Sequence, residues 1–316
     1  MKFFSILSAA GLATLGSAQA PTKVNDFNLG PTKLGMYVYV PSNLKKPAPI
    51  VVAIHHCQGS ATGYSSETKY QPLANSKGFI IIYPNSKSGG GCFDVASTAC
   101  KNFCIMLKNK TCLINTIALT HNGGGDSQTV ANMVKYAVEK YGGDSERVFV
   151  TGSSSGAMMT QVMAGAYPDV FKAASAYSGV PDGCFFVQGS TATQDPPGWN
   201  NACANGQSTK TAQQWGDATR GYFPGYNGTR PRMLIWHGTA DNTLRYPNYQ
   251  ESLKQWSNVL GLTTSKTASN TPQSGYTQTI YGDGDSNTAK LVGYSGQGVG
   301  HTVPVHESAD VAFFGI

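Results

Sequence analysis

Beyond its first twenty residues the sequence has no apolar run approaching the roughly twenty residues that a membrane-spanning helix needs, which excludes a multispan helical protein. It also lacks any run of five or more Lys or Arg. The formal charge of +6 is spread over scattered basic residues, so it points to solubility and not to a nucleic-acid partner. Charged residues make up only 13% against 40% hydrophobic, which excludes a disordered chain. No internal repeat and no linker-like stretch divides the 316 residues, so residues 21–316 are expected to form one domain. Cysteine is sparse and odd in number: there are seven, and Cys100, Cys104 and Cys112 crowd together.

What is present begins with Met1-Lys2, an apolar core from Phe3 to Leu15 and Gly16-Ser17-Ala18-Gln19-Ala20, the small-residue form of a signal-peptidase site. Residues 1–20 are therefore expected to be a signal peptide, with a mature start at Pro21 and a secreted, extracellular protein whose cysteines pair. Strand and helix patterns then alternate. Met36 to Val40, Ile50 to Ile54 and Phe79 to Tyr83 read as strands, the latter two as continuous apolar runs buried on both faces. Tyr70 to Lys77 reads as a helix, and Val130, Met133, Val134, Ala137 and Val138 give Val130 to Tyr141 one apolar helical face ended by Gly142-Gly143. Further strands are expected at 147–151, 173–177, 233–236, 276–280 and 291–294, with helices from the 154 region to Tyr167, near 209–219 and over 248–260. This alternation predicts an α/β fold with a mostly parallel sheet.

Gly152-Ser153-Ser154-Ser155-Gly156 joins the strand Arg147 to Thr151 to an apolar helix, the context in which G-x-S-x-G forms a nucleophile elbow with its central serine, Ser154, projecting outward. In a chain with 37 glycines a chance match has an expectation of roughly a few tenths, so the flanks and later partners must carry the case. A serine hydroxyl needs an imidazole to take its proton and an anion to orient that imidazole. The strand 233–236 runs into His237-Gly238-Thr239-Ala240-Asp241, making Asp241 the candidate acid, and Gly298-Val299-Gly300-His301 makes His301 the candidate base. His237 reads as structural, His306 as a surface residue of a terminal helix, and Asp217 and Asp310 as rival acids that end no strand. The amides of Ser155 and Cys57 are the expected oxyanion donors. A metal site at His55-His56-Cys57 is the alternative reading of that loop, without a second ligand cluster to support it.

Ile50 to Ser60, Phe79 to Pro84, Gly89 to Val95, Leu119 to Ser127, Val148 to Met159 and Gly179 to Phe185 together resemble the secreted acetyl xylan esterases of carbohydrate esterase family one, which are related to feruloyl esterases and polyhydroxybutyrate depolymerases. The resemblance covers nearly the whole mature chain. It implies an α/β-hydrolase fold with helices on both faces of the sheet, Ser154, Asp241 and His301 as the triad, and removal of O-acetyl groups from xylan without metal or cofactor. It also places Trp199, in Pro196-Pro197-Gly198-Trp199-Asn200, in a region lining the substrate cleft, with a core tryptophan as the alternative. A feruloyl esterase and a catalytically silent wall-binding protein are the competing functions. A monomer is expected, with acetylated xylan as partner, no nucleic acid and no membrane.

One segment departs from the family pattern: Cys100 to Ile117 has no counterpart. Codons available at its ends are compatible with splice signals, so the segment is expected to be a translated in-frame intron; a genuine surface insertion is the alternative, and sequencing the transcript decides. Without it four cysteines remain. Three connectivities are then open, and Cys57–Cys92 with Cys184–Cys203 is preferred because each joins segments expected at the carboxyl edge of the sheet. Asn227-Gly228-Thr229 is an expected glycosylation site, and Asn109-Lys110-Thr111 is a second sequon inside the segment.

Overall fold

The computed structural model describes residues 20–27, 30–86, 90–97, 118–186 and 198–316. The expected leader (apart from Ala20) and the segment Cys100 to Ile117, with its sequon at Asn109, lie outside the described residues. Among the described residues, no helix is long and apolar enough to cross a membrane.

Among the described residues ten strands form one sheet: β1 (Thr22–Val24), β2 (Gly35–Tyr39), β3 (Ala48–Ile54), β4 (Ile80–Asn85), β5 (Gly143–Ser153), β6 (Ala173–Tyr177), β7 (Arg232–Gly238), β8 (Ser265–Ser269), β9 (Tyr276–Tyr281) and β10 (Leu291–Gly296). Their order is β1-β2-β4-β3-β5-β6-β7-β10-β9-β8. From β4 through β10 every neighbour is parallel, and the antiparallel pairs lie at the two edges, as an α/β-hydrolase sheet requires. The two edge strands β1 and β8 escape sequence reading for one reason. Neither is an apolar run, and all five β8 residues are exposed, so only pairing to a neighbour makes them strands.

The helices are α1 (Ala61–Glu67), α2 (Tyr70–Lys77), α3 (Asp126–Tyr141), α4 (Ser155–Ala166), α5 (Asn201–Ala204), α6 (Ala212–Gly221), α7 (Pro247–Val259) and α8 (Glu307–Phe314). Strand residues alternate between two cores. Ile50, Val52 and Ile54 face α3, α4, α6 and α7, while Val51 and Ala53 face α1, α2 and α8. Helix α4 is buried along its whole length, which explains a continuous apolar composition without a polar face. Helix α1 has no apolar stripe and is instead started by Ser60, whose hydroxyl accepts from Gly63 N at 3.0 Å.

Helix α8 is tied to the underside of the sheet by one carboxyl. Buried Asp310 accepts from Ser175 Oγ at 2.6 Å, Tyr177 OH at 2.7 Å, Thr151 Oγ1 at 3.1 Å and also from Tyr70 OH. Burial raises its pKa from 3.8 to about 6, against the opposing pull of those four hydroxyls. Because the folded value lies above the unfolded one, this group's contribution is complete below pH 4 and is lost as pH rises through about 6. The loss in Tm caused by Asp310→Asn is therefore expected to be larger at pH 4 than at pH 7. Thermal melts at the two values check it, and equal losses would show that the carboxyl does not titrate in this window.

Candidate active site

Each of the three neighbouring serines at the end of β5 has its own partner. Ser153 Oγ bonds Tyr64 OH at 2.9 Å and Ser155 Oγ accepts from Phe93 N at 2.8 Å, leaving the hydroxyl of Ser154 to face His301. Ser154 alone of the three has left-handed backbone geometry, φ 54° and ψ −116°, which throws its side chain out of the strand-to-helix turn. The flanking glycines are required by close approach. A Cβ on Gly152 would sit 2.5 Å from Gly156 O and 2.8 Å from Ile54 O, and one on Gly156 would sit 2.1 Å from Ile54 O.

His301 Nε2 is 2.8 Å from Ser154 Oγ, and its Nδ1 is 2.8 Å from Asp241 Oδ2. The acid is buried and fully used: Asp241 Oδ1 accepts from the amides of Thr243 at 2.8 Å and Leu244 at 2.9 Å. Burial works to raise its pKa, but hydrogen bonds from His237 and His301 prevail and hold the carboxyl well below its ordinary value, so it stays ionised. The loops bearing acid and base are joined by Ala240 N to Val299 O at 2.9 Å and Gly298 N to Thr239 Oγ1 at 2.8 Å. Gly238 makes that approach possible, since a Cβ there would meet Val299 O at 2.1 Å. The rival acids lie elsewhere: Asp217 pairs with Arg220 on an exposed face of α6, and Asp310 sits in the α8 network. His306, expected on the surface, is instead half-buried at the start of α8 and stacks on Trp236 with ring centroids 4.3 Å apart. The rings of Trp236 on β7 and Tyr276 on β9 cover it.

The loop His55 to Gly59 is braced from several directions. Buried His55 bridges His56 O (2.7 Å from Nδ1) and Ser86 N, which donates to Nε2 at 3.1 Å; burial lowers its pKa to about 4 and keeps it neutral. His56 bonds Cys57 O at 2.7 Å and Glu67 Oε2 at 3.0 Å. Cys57 is bonded to Cys92, so all three residues of the considered metal cluster are engaged in other bonds. The second disulfide joins Cys184 and Cys203. Phe93 and Asp94 complete the brace: Asp94 N donates to Asp126 Oδ2 at 2.9 Å at the start of α3. A cleft of about 730 Å³ opens above this arrangement, lined by Ser154, His301, Cys57, Ser155, Phe185 and Trp199 among others. Trp199 is 41% exposed, which removes the core reading, and meets Phe185 edge to face at 5.2 Å.

A hydroxyl, imidazole and buried carboxylate in line, on loops at the carboxyl ends of parallel strands, can carry out acyl transfer. The model of the prolyl oligopeptidase family matches residues 116–260. Over 296 residues, 93% of this chain and 88% of the relative, the sequence is 47% identical to acetylxylan esterase A of Aspergillus awamori. The chain belongs to the acetylxylan esterase family. The solved structure of the acetyl xylan esterase from Aspergillus awamori superposes with a TM-score of 0.82 at 46% identity, covering 94% of this chain and 99% of that one. Feruloyl esterase B of Talaromyces funiculosus is 43% identical over 311 residues, 98% of this chain and 81% of the relative.

Proposed function

We propose that this member of the acetylxylan esterase family is a secreted serine esterase that removes O-acetyl groups from xylan. The observation that carries the reading is the Ser154–His301–Asp241 relay, with both contacts at 2.8 Å, in a chain 47% identical to an acetylxylan esterase. Ser154 Oγ attacks the acetyl carbonyl while His301 Nε2 takes its proton. The carbonyl oxygen becomes an oxyanion facing the amides of Ser155 and Cys57, each worth about a hundredfold to a thousandfold in rate. Collapse breaks the ester bond, and the departing sugar oxygen takes that proton from His301 and leaves as a hydroxyl. Water, deprotonated by the same imidazole, then attacks the acetyl-serine; acetate leaves as His301 returns the proton to Ser154 Oγ. Asp241 stays ionised throughout and stabilises the imidazolium. Trp199, exposed in the cleft wall, offers an aromatic face for a pyranose ring, and the braced loop keeps the Cys57 amide aimed. Asn227 is exposed and available for glycosylation.

Feruloyl ester hydrolysis is the second reading, favoured by the 43% identity to feruloyl esterase B. Initial rates on acetylated xylan and on methyl ferulate separate the two. Acetate release is expected to exceed ferulate release by at least about tenfold in kcat/KM, which is about 1.4 kcal/mol of transition-state discrimination. Faster ferulate release would overturn the acetyl assignment.

A further inference from the structure

The acid of the relay has a second imidazole beside it. His237, near the end of β7, is fully buried, and its Nε2 lies 3.3 Å from Asp241 Oδ2 and 2.8 Å from Leu244 O. Its Nδ1 has no partner among the described residues, so the ring proton belongs on Nε2, where both acceptors are. That N–H donates to the carbonyl of Leu244, across the turn that carries the acid, while Nε2 stays within 3.3 Å of the carboxylate. The amides of Thr243 and Leu244 hold Oδ1, so His237 and His301 share Oδ2 between them.

We propose that His237 is a positioning residue that acts through Asp241. Its bond to Leu244 O fixes the turn that carries the acid so that Oδ2 faces His301 Nδ1, and its N–H edge, with Nε2 3.3 Å from Oδ2, draws off part of the charge that would otherwise stabilise the His301 imidazolium. The physical basis is that a partial positive charge beside an ionised acceptor weakens what that acceptor offers to its other partners, and that a turn pinned by a buried hydrogen bond holds its carboxylate in one orientation. Among the described residues, the ionisable groups facing this centre are His237 from β7, His301 from the loop after β10, Tyr246 just before α7 and Tyr249 within it, the two tyrosine rings lying 6.3 Å from that of His237. The inference rests on the serine-esterase reading.

The test uses the full chain with His237→Phe, which keeps a ring and removes the donor, and His237→Gln, whose side-chain amide reaches the place of Nε2. Loss of the donor is expected to lower kcat by roughly tenfold to a hundredfold, with KM within about twofold, because misdirecting a relay group costs orientation and not substrate binding. The acid limb of the kcat profile is expected to move up by roughly half a pH unit in the Phe variant, since Oδ2 then gives its full charge to His301. The Gln variant should restore both. An unmoved acid limb in the Phe variant, or a Gln variant no better than Phe, overturns the proposal and leaves His237 a packing residue. If the Phe variant does not accumulate folded, the Gln variant decides alone: kcat within about threefold of wild type with the acid limb in place supports the role, and a larger loss overturns it. Labelling of wild-type Ser154 by an organophosphonate runs alongside. No wild-type labelling sinks the esterase reading itself, whereas wild-type labelling with an unaltered Phe variant sinks only this inference.

Discussion

Ser154→Ala is expected to lower kcat on acetylated xylan by roughly a millionfold, the scale seen when a serine nucleophile of this kind is removed, while leaving Tm nearly unchanged. The reasons for the two halves differ. Activity falls because neither neighbouring hydroxyl is free to take over: Ser153 Oγ is committed to Tyr64 and Ser155 Oγ to the amide of Phe93. Stability persists because the left-handed backbone at position 154 costs Ala no more than Ser, and Ser154 Oγ bonds His301 at a cleft surface where water can replace it. Steady-state kinetics with the purified variant, calorimetry, and mass spectrometry after organophosphonate treatment check all three parts. A phosphonate adduct on Ser153 or Ser155, or a residual rate within a hundredfold of wild type, would contradict the assignment.

Gly156→Ala is expected to destabilise the fold strongly. Ordinarily the exchange stabilises a helix by up to about 1 kcal/mol. Here the added carbon would lie 2.1 Å from Ile54 O and 2.7 Å from His55 O, both backbone atoms at the end of β3. β3 cannot retreat, because it is paired on both sides with β4 and β5. The cost is expected to reach about 3 kcal/mol or more, a large share of the 5–15 kcal/mol by which domains are stable. Gly221→Ala serves as the control: it also lies in a helix, α6, but nothing is within 4 Å of its added carbon, so a small gain is expected. Denaturant titrations of both variants give the comparison. A Gly156 variant as stable as wild type would mean that the elbow does not press against β3.

Much of this molecule is legible from local pattern. The buried strands β3, β4 and β7 appear as apolar runs because a parallel sheet covers both faces of each. The elbow is marked by two glycines whose missing side chains the packing of α4 on β3 demands. The order of serine, acid and histidine is readable because the turns bearing them follow recognisable strands. Particular residues were less transparent for reasons that are equally physical. His237-Gly238 looks like a strand end with a flexible residue after it; nothing local says that the glycine admits the His301 loop or that the histidine turns toward Asp241. His55 and His56 look like metal ligands until the carbonyls, the amide and the carboxylate around them are placed.

The amino-acid sequence by itself determined the buried strands, the longer helices, the turn that carries Ser154 and the family the chain resembles, because those depend on residues within a few positions of one another and on the repeat of the α or β backbone. Only the tertiary structure decided that Asp310 gathers four hydroxyls from α2, β5 and β6, that Cys57 meets Cys92, that Trp199 stands exposed in the cleft, and that Asp241 is shared by two imidazoles. Those contacts join residues tens to hundreds of positions apart or turn on how a loop is packed, and their energies come from burial and direction, which exist only once the sheet has brought the loops to one edge.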